Sequence, residues 1–97
     1  MRIISRQTLC GFWRRHRAAE QALRSWFHEA KVARWKNFHD LKLQYPSADV
    51  LPQHRVIFNI KGNHYRLVVR IHYNTGVVFI RFIGTHAEYD RIDPTTI

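Results

Sequence analysis

From residue 55 onward the chain follows a period of two, and this constrains its fold more than any other feature. RVIFNIK (55–61), HYRLVVRIHY (64–73) and VVFIRFI (77–83) are apolar-rich runs of strand length. They are separated only by Gly62-Asn63 and by Asn74-Thr75-Gly76. Connections this short force neighbouring strands to pair antiparallel, so the segment predicts a three-strand meander. Gly62 is expected to take the positive φ at the first position of a two-residue turn. Alternation then sorts the side chains of the middle run. Tyr65, Leu67, Val69, Ile71 and Tyr73 point one way, and His64, Arg66, Val68, Arg70 and His72 the other. In the last run Val78, Ile80 and Phe82 share a face opposite Val77, Phe79, Arg81 and Ile83. With the apolar faces turned inward, Arg81 joins Arg66 and Arg70 on an open face that holds cations and no carboxylate.

The first half reads as helix. Ser5 can cap a helix running to about Arg17, with Leu9, Phe12, Trp13 and His16 at helical spacing. A second helix is predicted over Ala18 to Trp35, with Leu23, Trp26, Phe27, Ala30 and Ala33 as its apolar stripe. NFHDLKLQY supports a further helical turn or two, and PSADVLPQH reads as a loop bounded by Pro46 and Pro52. Ninety-seven residues support one domain. The expected class is α+β, with residues 1–45 mainly helical, 46–54 a loop, 55–83 the meander and 84–97 a short C-terminal helix and tail.

Charge narrows the partner. Sixteen Lys and Arg against seven Asp and Glu give a net charge of +9. Twelve of the sixteen are arginines, whose planar fork of donors matches phosphate. Nucleic acid is the first polyanion to consider and an anionic membrane surface the second. The single Cys10 excludes an intramolecular disulfide and fits a reducing, cytoplasmic setting. No apolar run approaches the roughly 20 residues needed to span a bilayer. The opening MRIISRQTLCGFWRRHR has the acid-free, Arg-rich composition of a transit peptide, yet it continues directly into a helical pattern. His64 and His72 share a strand face but lie eight residues apart, too far for a compact ligand pair. No metal or other cofactor is expected.

After the last strand comes GTHAEYDRID (84–93). Thr85-x-x-Glu88 has the spacing of a capping box, and Pro94 marks where a short helix must stop. The box leaves His86 and Tyr89 unexplained. Three residues apart, they fall on one face of a single helical turn.

Positions 58–93, FNIKGNHYRLVVRIHYNTGVVFIRFIGTHAEYDRID, resemble the HigB-type branch of the RelE-like mRNA interferase toxins. GNHYRL (62–67), IRFIGTH (80–86) and EYD (88–90) carry the resemblance by their order and spacing. It implies helices packed on a small twisted antiparallel sheet, with a short C-terminal helix. It also implies cleavage of mRNA on a translating ribosome, and silencing by an antitoxin, expected to be a helix-turn-helix protein encoded next to this one. By position it points to Arg66, Arg81, His86 and Tyr89 as catalytic residues. Arg70, His64, Lys61 and His72 are the accompanying candidates for RNA contact. His64 departs from the family pattern, which often has Lys after Gly-Asn, so the charge there depends on pH. Cleavage by this route needs a base for the 2′-hydroxyl, an acid for the leaving 5′-oxygen and cations on the phosphate. His86 or Tyr89 is expected to carry the protons, with neighbouring cations favouring the Tyr89 phenolate, and stacking on a base is the alternative role for Tyr89. A non-catalytic RNA-binding module is the main alternative. A membrane-surface protein and a DNA-reading helix-turn-helix over residues 5–35 rank below it.

Overall fold

A computed structural model describes residues 1–97. In chain order the elements are β1 (Arg2–Ile4), α1 (Arg6–Arg15), a 3₁₀ turn (Arg17–Ala19), α2 (Glu20–Val32), α3 (Phe38–Gln44), β2 (Asp49–Leu51), β3 (Arg55–Ile60), β4 (Tyr65–His72), β5 (Val77–Thr85) and α4 (His86–Tyr89). Four helices and a mixed five-stranded sheet make an α+β fold consistent with the RelE-like architecture.

The sheet order is β1-β5-β4-β3-β2. The meander expected from the period of two is its centre, with β3 antiparallel to β4 and β4 antiparallel to β5. The two outer strands were not visible in the pattern. β1 pairs parallel with β5, Ile3 beside Val78. β2 pairs antiparallel with β3 from within the stretch read as a loop. Each is only three residues long, too short for alternation to register. The Ile60–Tyr65 pair closes a four-residue connection rather than a two-residue one, and positive φ occurs at both Lys61 (53°) and Gly62 (64°).

The apolar core lies between the helices and one face of this sheet. Leu9, Phe12 and Trp13 of α1 and Leu23, Trp26 and Ala30 of α2 bury their stripes. They meet Val56, Phe58 and Ile60 of β3 and Tyr65, Leu67, Val69 and Ile71 of β4, as alternation predicts. Trp26 packs edge-on to Phe58 at 5.3 Å between ring centroids, a geometry suited to the ring quadrupoles. The second helix, expected over residues 18–35, runs as α2 from Glu20 to Val32, and the further turns expected in NFHDLKLQY form α3, with Asn37 accepting from the Asp40 backbone N–H. Ser5 stands at the N-cap of α1 without a side-chain cap bond, and His16 ends that helix stacked on Phe12 at 4.3 Å.

Alternation fails in the middle of β5. Val69 pairs with Ile80 and Val68 with Phe82, so a bulge leaves Arg81 without a partner on β4. The extra residue reverses the facing of the rest of the strand. Ile83, not Phe82, packs towards the core, and Phe82 shares the outer face with Val68. The outer face is also not open. Ile57 and Val68 are 5% and 0% exposed yet lie outside the core cluster, and on this side α4 packs against β4 and β5 with Tyr89 near Phe82. Arg55 is held there, 4% exposed, with Nε and Nη2 donating to the Ile97 backbone oxygen at 3.0 and 2.6 Å.

Candidate active site

The register of the outer face builds the site in rows. Asn59, Arg66 and Gly84 form one, Ile57, Val68 and Phe82 the next, and Arg55, Arg70 and Phe79 a third. The Nε atoms of Arg66 and Arg70 are buried and have no hydrogen-bond partner, and neither does the buried Oδ1 of Asn59. Buried polar groups are normally satisfied, so unpaired guanidinium donors two rows apart on one face of β4 are suited to an incoming acceptor. Arg66 makes one long hydrogen bond, from Nη2 to Asn63 Oδ1 at 3.5 Å.

The α4 turn places its residues against this strip. The capping box is complete: Thr85 Oγ1 accepts from the Glu88 backbone N–H at 3.2 Å, and Glu88 Oε1 accepts from the Thr85 N–H at 2.8 Å. That second bond, chiefly, holds the Glu88 carboxyl below its ordinary pKa, with the nearby charges of His16 and Arg15 adding to it. Gly84 makes room for the turn, since a methyl group there would sit 2.5 Å from the Phe82 ring and 3.2 Å from Glu88 Cβ. Tyr89 then lies 6.4 Å from the Phe82 ring, and the Arg66 guanidinium rests over it at 5.5 Å. The exposed His86 has Nδ1 3.2 Å from Asp90 Oδ2, and its backbone N–H donates to the His64 carbonyl at 3.1 Å.

Four of the sequence candidates are thus brought together: Arg66, Tyr89, His86 and His64. Arg70 lies further along β4 on the same face. Arg81 is exposed at the bulge and makes no hydrogen bond or ion pair, so its place in the strip does not follow from alternation. Lys61 is exposed in the β3–β4 connection. His72 is at the far end of β4, edge-on to Phe79 at 5.4 Å and 6.5 Å from the His54 ring, away from α4.

Two expectations about charge change. The face is not free of carboxylates, because Asp49 of β2 stands opposite Ile57 and its charge reaches Tyr89. Nor is Tyr89 poised as a phenolate. Burial raises its pKa, and the opposing pull of Arg66 is the lesser cause. Asn59 and Arg55 were missed outright, although the period of two puts both on the outer side of β3. Asp49 carried no such signal, lying in a strand of three residues.

No group of three or more His, Cys, Asp or Glu side chains is arranged to hold a metal ion, and no helix is long and apolar enough to cross a membrane. No curated protein matches the chain. Residues 19–92, from the end of the 3₁₀ turn through α4, match the family described as HigB toxin, the RelE-like toxic component of a toxin-antitoxin system. The chain therefore belongs to the HigB toxin family, and its family implies a cognate antitoxin as partner.

Proposed function

We propose that this protein is an mRNA interferase: a metal-independent endoribonuclease that cleaves mRNA on the translating ribosome in the cytoplasm and so inhibits translation. The observation that carries this reading is the buried, unpartnered Nε donor of Arg66, whose guanidinium lies over Tyr89 of α4, together with that of Arg70 further along the same face of β4. Arg stays protonated and can grip a phosphate through two parallel bonds, so these side chains hold the scissile phosphate and the charge that develops on it. The 2′-oxygen attacks the adjacent phosphorus and the bond to the 5′-oxygen breaks, leaving a cyclic phosphate and a free 5′-hydroxyl. His86, oriented through Nδ1 by Asp90, takes the 2′-hydroxyl proton. Tyr89, kept neutral by burial, can give a proton to the leaving 5′-oxygen but is unsuited to take one. Its ring also steadies Arg66. His64 and Lys61 extend the RNA contact around the end of the sheet, and Arg81 adds charge from the bulge. The antitoxin is a helix-turn-helix protein encoded beside this one, with an acidic segment complementing the charge of +9.

The test is to map the 5′-ends of mRNA after incubation with translating ribosomes and, separately, as free RNA, with and without EDTA. His86→Ala and Tyr89→Phe should each reduce cleavage roughly 10²-fold or more with an unchanged fold, and EDTA should change nothing. RNA that is bound but uncut in both settings would identify a binding module instead.

A further inference from the structure

The end of the sheet remote from α4 carries a second concave site. A cleft of about 510 Å³ opens between the start of β1, the Ala33–Lys36 link and the Tyr73–Gly76 connection. Its rim brings together Arg2, Arg34 and Lys36, all exposed and none in an ion pair, and no carboxylate lines it. Three cations converging without a counter-charge repel one another unless an anion joins them. The walls are of a different character. Trp35 is 5% exposed, and its Nε1 donates to Gln44 Oε1 at 3.0 Å, which fixes the indole. Tyr73 is half-buried, and burial keeps its phenol neutral. A cationic rim over an aromatic wall suits one molecule with both a flat base and a phosphate. The volume is in the range of small-ligand sites.

A neighbouring cleft of about 330 Å³ says where such a molecule leads. It shares Tyr73 and Asn74 with the first and adds His54, Ile71 and His72. His72 lies on the same face of β4 as Arg70, two residues away. The two clefts therefore adjoin through Tyr73 and Asn74, and the smaller one accounts for His72, which α4 leaves aside.

We propose that the larger cleft seats one nucleotide of a single-stranded RNA, with its base against Tyr73 and its phosphates held by Arg2, Arg34 and Lys36, the strand continuing past His54 and His72 in the smaller cleft. This rests on RNA as the substrate, but not on cleavage. The probe is a fluorescent 2′-O-methyl 12-mer, which cannot be cut by 2′-hydroxyl attack, bound to the full chain at several salt concentrations. Arg34→Glu/Lys36→Glu should bind it at least 10-fold more weakly, with the log–log salt slope reduced by about 0.7 for each phosphate no longer neutralised. Tyr73→Leu, which keeps apolar bulk and removes the ring, should weaken binding about 5-fold or more. Thermal melting confirms that each variant is folded. Wild-type affinity in folded cleft variants would overturn the proposal, while a wild-type response of Arg66→Ala/Arg70→Ala would instead overturn the reading of the strip. Loss of antitoxin co-purification with RNA binding intact would make the cleft a protein contact and overturn it too. AMP binding there as tightly as the 12-mer would assign it to a free nucleotide, again against the strand.

Discussion

Arg55 and Arg70 stand directly opposite each other on β3 and β4, and their surroundings could hardly differ more. Every part of the Arg55 guanidinium is engaged from within the protein: Nε and Nη2 by the Ile97 oxygen, and Nη1 by Gln53 Oε1 at 3.0 Å. Arg70 keeps a buried Nε with no partner, as does Arg66 further along the strand. Residue type, charge and sheet face are the same in both. What separates the structural Arg55 from the arginines proposed to bind RNA is whether the fold itself satisfies the donors, because an unmet buried donor carries a desolvation cost that an incoming acceptor would remove.

The largest expected effect concerns Arg55. Arg55→Ala should lower stability by about 3 kcal/mol, since it breaks buried charge-assisted bonds that fasten the C-terminal segment to β3. Urea denaturation measures it, and an equal loss in Arg70→Ala would erase the contrast. Arg70→Ala should instead stay within about 0.5 kcal/mol of wild type in the same titration. Its cost should be in RNA affinity, about 10-fold through the absence of one charge-assisted bond. Thr85→Ala tests the turn that carries His86 and Tyr89. It should cost about 1 kcal/mol through the missing cap, with cleavage falling less than in His86→Ala. The smallest effect is acid dependence. Because the folded Glu88 carboxyl has a pKa below the ordinary 4.5, the stability it contributes is present above that value and lost as pH falls through the folded pKa. Glu88→Gln should remove this part of the acid transition in a pH series of thermal melts.

Local rules read much of this molecule correctly. The complete capping box at Thr85 and Glu88 and the inward set Leu67, Val69 and Ile71 follow from spacing alone, as does the Asn–Gly–rich punctuation between strands. That His86 and Tyr89 share one short turn was legible for the same reason, since neighbours in sequence need no tertiary knowledge to be placed. The errors began where one residue more or less changes a face. The bulge at Arg81 exchanged Phe82 and Ile83, and nothing in VVFIRFI distinguishes a bulged run from a regular one.

The sequence by itself determined the antiparallel centre of the sheet, the amphipathic helices, the excess of arginine and the capped turn, because each depends on contacts a few residues apart or on composition. Tertiary structure alone decided the rest. β1 at the start of the chain reaches β5 near its end, the C-terminal segment takes Arg55 out of play, and partial burial raises the Tyr89 pKa against the pull of Arg66. Those outcomes depend on which polar groups lose water and which find partners when distant segments meet, and that balance does not exist until the chain has folded.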